Sequence, residues 1–297
     1  MPHPLRILLQ TTIPPTDDDW SIARFSYLRD YLASLTDKTG NPLYEVTARD
    51  REPDSDGNDP ILSTLGDSHY DELWLFAVDV GDGLSPQDLQ GITAFHQRGG
   101  GILATRDHHD LGCSLCSLGI IGSAHHFHTH NPEPDTARHQ IDDINTTTIL
   151  WPNYHSGRNG DYQTITPIAP IHNLLKNPTS PTGVIQFFPA HPHEGAVSVP
   201  PKAEKAQVIA TGKSMISGRV FNLAIAFDRQ LDTEGHLLGR AVAESTFHHF
   251  CDYNWDARAG CPSFVTEPAG DTMQTEPQAI EDLQAYLRNL AAWLAPA

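Results

Sequence analysis

The stretch Arg106-Asp107-His108-His109-Asp110 places two carboxylates, two imidazoles and a guanidinium within five residues. It directly follows an apolar segment with the character of a buried β-strand. In open α/β sheets, ligands bind beyond the carboxyl ends of the strands. Carboxylates and imidazoles at such a position can hold a divalent metal ion or transfer protons. A solvated loop whose aspartate caps the next helix would give the same pattern, so both interpretations stay open.

A second group of potential ligands lies at His191-Pro192-His193-Glu194. In an extended segment alternate residues project to one side, so His191 and His193 would point together. Two imidazoles with a neighbouring carboxylate form half of a metal site that keeps open positions. The alternative is that both histidines belong to an ordinary loop.

A third group, His248-His249, lies in the segment 246–255, where aromatic and polar residues alternate. This alternation directs one imidazole toward the core and the other away from it. The alternative is a histidine that is held by hydrogen bonds beneath an aromatic cluster.

Two weaker motifs lie between these groups. If 125–130 is a strand, His126, His128 and His130 share a face and could converge on a ligand. Cys113 and Cys116 have the CxxC spacing of a redox pair or of half a zinc site. The sequence has no second CxxC motif. We therefore favour the interpretation that Cys113 and Cys116 are small apolar side chains on one face of a helix.

The composition excludes several classes of function. The chain has 297 residues, of which 17 are histidine, and its formal net charge is −18. This acidic balance opposes binding to nucleic acid and to anionic membranes. Four cysteines are too few for a disulfide scaffold of this length. There is no apolar run near the roughly 18 residues of a membrane span and no signal-peptide pattern, so we expect a cytoplasmic protein.

Strands and helices alternate along the first part of the chain, as in a parallel sheet with helical crossovers. Ser85-Pro86-Gln87-Asp88 has the signature of a helix start. We predict one domain over 1–297 with a loop-rich insertion at about 120–200, and a strand or helix start at 244–250. The predicted strands are 5–9, 44–48, 70–78, 102–105, 208–211 and 219–227, and the predicted helices are 22–35, 86–98 and 275–294.

The order of these elements, with Leu84-Ser85-Pro86 and the segment Gly99-Gly100-Gly101-Ile102-Leu103-Ala104-Thr105, resembles the class I glutamine amidotransferase-like fold. The branch most similar contains ThuA-like (trehalose-utilisation) proteins, and the likeness is clearest over 5–115. Three histidine-containing motifs, 107–112, 191–195 and 247–250, together with Gly218-Arg219-Val220-Phe221-Asn222-Leu223-Ala224, are similar to a bacterial subgroup of that fold. The resemblance implies an α/β, flavodoxin-like three-layer sandwich with a mostly parallel central sheet and long loop insertions.

One departure from the family pattern bears on function. Amidotransferases of this fold place a cysteine nucleophile in the sharp turn after this strand, where the present chain has Thr105-Arg106-Asp107-His108. Cys113 lies about two helical turns further on, so the resemblance implies no glutaminase activity. Asp107 and His108 would take the focal position. In the wider fold a later histidine approaches this turn, and His248 or His249 is the best candidate, with His191 and His193 as rivals.

Our leading hypothesis is a metal-dependent or His/Asp-dependent hydrolase or lyase that acts on a small polar metabolite. The ion would be divalent zinc, iron or manganese. The predicted metal ligands are Asp107, His108, His191, His193 and His248. The predicted catalytic residues are Asp107, Asp110, Glu194 and His248, with Glu194 or Asp110 as general base. The predicted substrate-binding residues are Arg106, His109 and His249.

Two other functions stay open on the residues alone. One is a non-catalytic protein that binds a small molecule such as a sugar. The other is thiol chemistry through Cys113, Cys116 or Cys251. Convergence of the five predicted metal ligands within about 5 Å of one point would favour the metal hypothesis.

Overall fold

The computed structural model describes residues 3–17, 19–232, 234–262 and 264–297. Its strands, in chain order, are β1 (Leu5–Thr11), β2 (Tyr44–Arg49), β3 (Glu72–Phe76), β4 (Gly101–Thr105), β5 (His125–His126), β6 (Tyr162–Thr164), β7 (Thr166–Pro167), β8 (Phe187–Pro189), β9 (Ala196–Val197), β10 (Ala206–Lys213), β11 (Val220–Phe227) and β12 (Ala241–Glu244). Its α-helices are α1 (Ser26–Ser34), α2 (Pro86–Gln97), α3 (Gly119–Gly122), α4 (Asp252–Trp255), α5 (Thr272–Thr275) and α6 (Pro277–Leu294).

A sheet of eight strands forms the centre of the fold, in the order β2-β1-β3-β4-β12-β11-β10-β7. The first five strands run parallel to one another. The last three are each antiparallel to the preceding neighbour. The strand order at the parallel end is that of flavodoxin-like sheets. The predicted α/β fold with a mostly parallel central sheet is confirmed.

Both faces of the sheet are covered. Leu73 and Leu75 of β3 belong to a core cluster that also contains residues of α2. The alternate residues Trp74 and Phe76 belong to a second cluster with residues of α1 and α6. Because β3 is buried on both faces, its apolar run is continuous rather than alternating. The architecture is therefore three layers.

Helix α2 begins where the sequence predicts. The Ser85 hydroxyl accepts a hydrogen bond from the Asp88 backbone N–H, and the Asp88 carboxylate accepts one from the Ser85 N–H, both at 3.1 Å. This reciprocal pair satisfies two backbone donors at the helix start. No helix in the described part of the chain combines the length and the apolar character needed to cross a membrane.

The predicted insertion at 120–200 is made of loops and short strands. Two small antiparallel pairs form outside the central sheet, β5 with β9 and β6 with β8. Strand β7 adds to the edge of the central sheet beside β10. The single-domain prediction is not tested by these elements and stays a prediction.

The carboxyl ends of β4 and β12 lie side by side, because the strands are parallel and Thr105 pairs with Glu244. The chain leaves both strands at one edge of the sheet. The segment 245–250 is a turn that ends in one 3-10 turn, His248–Phe250, rather than a strand. A hydrogen bond of 2.8 Å from the Phe247 N–H to the Arg106 carbonyl ties the two segments together.

Candidate functional site

Two of the predicted ligands meet at this edge. Asp107 lies in the loop after β4, and His248 lies in the 3-10 turn after β12. The Nε2 atom of His248 is 3.2 Å from Oδ2 of Asp107. Both side chains are buried, with about 1% of each residue exposed. The parallel pairing of β4 and β12 therefore brings together residues that are 141 positions apart.

The insertion supplies the third member of the group. This third member is His191. A hydrogen bond of 2.9 Å from the Gly195 N–H to the Ser245 carbonyl joins this part of the insertion to the segment after β12. The imidazole of His191 stacks on that of His248, with 3.3 Å between ring centroids. One donor atom each from Asp107, His191 and His248 lie within 4.8 Å of one another. Two imidazoles and one carboxylate at this spacing can hold a divalent metal ion.

The second nitrogen of each imidazole in this group has a polar partner. The Nδ1 atom of His191 is 2.6 Å from Oδ1 of Asn159. The Nδ1 atom of His248 is 2.9 Å from the Tyr253 hydroxyl. Since an amide oxygen only accepts, Nδ1 of His191 carries the proton and Nε2 has a free lone pair. That buried Nε2 has no hydrogen-bond partner among the described residues, so its lone pair is available to a metal ion.

His108 and His193 lie beside this group. The Nδ1 atom of His108 is 2.8 Å from Oδ2 of Asp107, and the His108 ring packs edge-on against His193 at 4.8 Å between centroids. The Nε2 atom of His193 is hydrogen-bonded to the carboxylate of Asp143. Its Nδ1 is buried without a hydrogen-bond partner among the described residues.

The charge states favour cation binding. Burial alone would raise the pKa of Asp107, but the imidazoles of His108 and His248 hold it well below the usual range. Burial lowers the pKa of His191 and of His248. The carboxylate is therefore ionised and the two imidazoles are neutral near pH 7, which is the state in which each binds a metal.

Arg106, a predicted substrate-binding residue, is fully buried. Its guanidinium lies over the Phe127 ring at 3.9 Å and donates to the backbone carbonyls of His109 at 2.8 Å and Ala196 at 3.3 Å. It also donates to the carbonyl of His126. Burial lowers the pKa of Arg106 to about 9. These contacts favour a structural role, and its substrate-binding role stays a prediction.

His249 and Glu194 form a separate buried network. The His249 Nδ1 is 2.9 Å from the Glu244 carboxylate, and its Nε2 is 3.6 Å from that of Glu194. Glu194 also accepts hydrogen bonds from Gln163 at 2.7 Å and Ser245 at 2.8 Å. Burial alone would lower the pKa of His249, but the two carboxylates raise it to about 9. The catalytic role of Glu194 and the substrate-binding role of His249 stay predictions.

Asp110 and His109 lie toward the surface. The Asp110 carboxylate accepts hydrogen bonds from the backbone N–H and the hydroxyl of Thr129, both at 2.9 Å. His109 is half-buried, and its ring is 4.9 Å from that of His128. The catalytic role of Asp110 and the substrate-binding role of His109 stay predictions.

The two weaker motifs, the histidine run 125–130 and the cysteine pair, have the following surroundings. Residues 125–130 are not one strand, because β5 ends at His126 and the Phe127 N–H bonds to the His130 carbonyl at 3.1 Å. The condition for convergence of the alternate histidines, a strand over 125–130, is therefore not met. Burial raises the pKa of Cys113 to about 12 and that of Cys116 to about 11, so both are unreactive thiols at neutral pH.

Three residues around the group were not identified from the sequence. Asn159 and Asp143 belong to loops of the insertion, and no periodicity links either of them to a histidine. Tyr253 lies five positions after His248 in the same motif, and the alternation of aromatic residues there was the one available signal.

No family model and no curated protein sequence matches this chain. A solved ThuA-like protein from Parabacteroides merdae matches over 98% of this chain and 90% of its own, with 15% identity and a TM-score of 0.51. The chain has the ThuA-like fold. A ThuA-like protein from Bacteroides uniformis matches 98% of this chain and 91% of its own at 9% identity, with a TM-score of 0.45. The glutaminase domain of Trypanosoma brucei CTPS, with acivicin bound, matches over 97% of this chain and 93% of its own. The identity is 13% and the TM-score is 0.39.

The resemblance to ThuA-like proteins predicted from the sequence is thus confirmed for the fold. Within this ThuA-like fold, the turn after β4 carries Asp107 and His108. Cys113, the nearest thiol along the chain, lies in the following 3-10 helix, Cys113–Ser117.

Proposed function

We propose that this chain is a metal-dependent hydrolase or lyase whose divalent ion is held by Asp107, His191 and His248. The unpartnered, buried Nε2 of His191 carries the proposal. A buried nitrogen without a hydrogen bond costs about 1–3 kcal/mol, and a bound cation removes that cost. Two-histidine, one-carboxylate sets bind zinc in hydrolases and iron in oxygenases, and manganese is the third candidate.

The ion would act as a Lewis acid and would lower the pKa of a bound water molecule. We assign the proton-accepting role to His193 rather than to Glu194 or Asp110, whose carboxylates are engaged elsewhere. The Asp143 carboxylate accepts the Nε2–H of His193, which fixes the tautomer with a free lone pair on Nδ1. That Nδ1 is buried and unpartnered among the described residues.

We propose that a small polar substrate approaches past His108. Its side chain is 10% exposed, against about 1% for Asp107 and for His248. His109, which is half-buried next to it in the chain, would contact substrate. Substrates of this kind suit a site whose nearest side chains are imidazoles and carboxylates.

The test is metal analysis of the purified chain followed by chelation and reloading with zinc, iron(II) or manganese. We expect one tightly bound ion per chain, and hydrolysis or elimination on a panel of small polar esters, amides and hydroxy acids only in the reloaded form. Asp107→Asn and His191→Gln should each lose the ion. His236→Gln is the matched control, because its side chain is 47% exposed.

Failure of the wild-type chain to retain any of the three ions would refute the metal site. If the wild-type chain retains an ion and Asp107→Asn and His191→Gln retain it equally well, the proposed location of the metal site is refuted. Ion binding and ligand-induced thermal stabilisation without turnover would support the alternative of a non-catalytic binding protein.

A further inference from the structure

A second histidine site lies outside the metal group, on the small pair of strands β5 and β9. The Nε2 atom of His126 is 2.6 Å from the Ser198 hydroxyl, and its Nδ1 is 2.9 Å from the Asn131 carbonyl. Since a carbonyl only accepts, Nδ1 carries the proton, and Nε2 accepts the hydrogen bond from the serine. This is the protonation state of a histidine that activates a serine nucleophile.

The backbone holds the two side chains in this position. His126 pairs with Ala196 across β5 and β9, and the Ser198 N–H donates to the Ala124 carbonyl at 2.9 Å. The Asn131 side chain donates to the His125 carbonyl at 2.8 Å. This bond holds Asn131 in place, and the Asn131 carbonyl in turn orients the His126 imidazole. His126 is buried and Ser198 is partly exposed, so the base is more shielded from solvent than the serine.

The surroundings suit proton transfer from serine to histidine. Burial lowers the pKa of His126, so the imidazole is neutral near pH 7 and can accept a proton. The buried carboxylate of Glu133 is 3.7 Å from the His126 Nε2. It lies close enough to stabilise the imidazolium that forms when the proton moves.

We propose that Ser198 and His126 form a nucleophilic site that takes acyl groups from uncharged carboxylic esters. The Ser198 oxygen bonds to the ester carbonyl carbon while its proton moves to Nε2 of His126. The bond from that carbon to the leaving oxygen breaks, and the alcohol leaves with the proton from His126. Water then cleaves the acyl-serine, giving the carboxylic acid and the free hydroxyl.

A cavity near Ser198 indicates which kind of acyl group the site would accept. The cavity has a volume of about 640 Å³, and Ser123 and Pro200 in its lining lie close in the chain to the Ala124–Ser198 hydrogen bond. Much of the remaining lining is apolar and includes Leu118, Ile121 and Leu238. This lining favours esters of extended apolar acids over acetates.

The test is labelling of the intact chain with an alkyl fluorophosphonate in the presence of chelator. The serine oxygen bonds to phosphorus, fluoride leaves, and the serine proton passes through His126 to solvent. Mass spectrometry should find one adduct, on Ser198. p-Nitrophenyl octanoate should release a burst of one nitrophenol per chain, and the burst with the acetate should be slower.

Ser198→Ala should abolish the adduct and the burst, and His126→Gln should slow both by about 10²–10⁴-fold. Ser34→Ala is the matched control, because its exposed hydroxyl donates to the Tyr31 carbonyl rather than to a histidine. The proposal is overturned if the folded wild-type chain gains no adduct on Ser198, or if His126→Gln reacts at the wild-type rate. An acetate burst as fast as the octanoate burst would overturn the assignment of the cavity. Because chelator is present throughout, none of these results depends on the metal site.

Discussion

The sharpest prediction concerns the fully buried imidazole of His249. It lies between the carboxylates of Glu244 and Glu194, at 2.9 Å and 3.6 Å, and packs edge-on against the Phe188 ring. Glu244 also accepts a hydrogen bond from the Tyr286 hydroxyl of α6. The imidazolium therefore joins the segment after β12 to the insertion and to the last helix. We predict that His249→Gln destabilises the fold in a pH-dependent way.

The expected loss of folding free energy follows from the pKa of His249. The folded chain holds the pKa of His249 at about 9, against 6.5 for an ordinary histidine. A shift of this size corresponds to about 3 kcal/mol of folding free energy. Because the folded pKa is raised, this stabilisation is fully present below pH 6.5. It is lost progressively as the pH rises through about 9.

The measurement is urea unfolding of the wild type and of His249→Gln between pH 6 and pH 10, with chelator to remove metal effects. At pH 6 the variant should be less stable by about 3 kcal/mol. For 297 residues, with about 2.1 cal/mol/K of unfolding entropy per residue, this is about 5 °C in Tm. The difference should shrink toward zero near pH 10.

His130→Gln is the control, because this histidine is exposed and its substitution should change stability by no more than about 0.5 kcal/mol. A difference between the wild type and His249→Gln that is constant from pH 6 to pH 10 would refute the reasoning. The same result would show that His249 is a neutral side chain in the folded state.

Three further predictions test other contacts. Asn159→Ala removes the oxygen that orients His191, so zinc affinity measured by calorimetry should fall by about 10–100-fold; an unchanged affinity would contradict the metal site. Ser85→Ala removes the cap of α2 and should cost about 1 kcal/mol in urea unfolding, and no loss would show that the cap contributes nothing. Gly91→Ala places a Cβ at 2.1 Å from the Leu62 carbonyl oxygen, so it should lower Tm although alanine favours helices; a higher Tm would show that this contact relaxes freely.

Much of the fold can be predicted from local patterns. The apolar run of β3, the capping signature of α2 and the heptad-like spacing of α6 are each contained in fewer than 20 consecutive residues. Such patterns report burial and backbone geometry directly. The segment after β12 is different, because a strand and a helix start are equally compatible with the sequence from Glu244 to Phe250. The packing of Phe247 and Phe250 in the core accompanies a turn there instead.

For the site, the sequence by itself determined which residue types are available and that a His/Asp pair follows a central strand. Asp107, His191 and His248 were all among the predicted ligands. Only the tertiary structure decided which imidazole of each pair joins the group, because adjacent residues such as His248 and His249 point to different surroundings. It also supplied Asn159, Asp143 and the serine beside His126, since side-chain partners drawn from distant loops leave no periodic trace in a sequence.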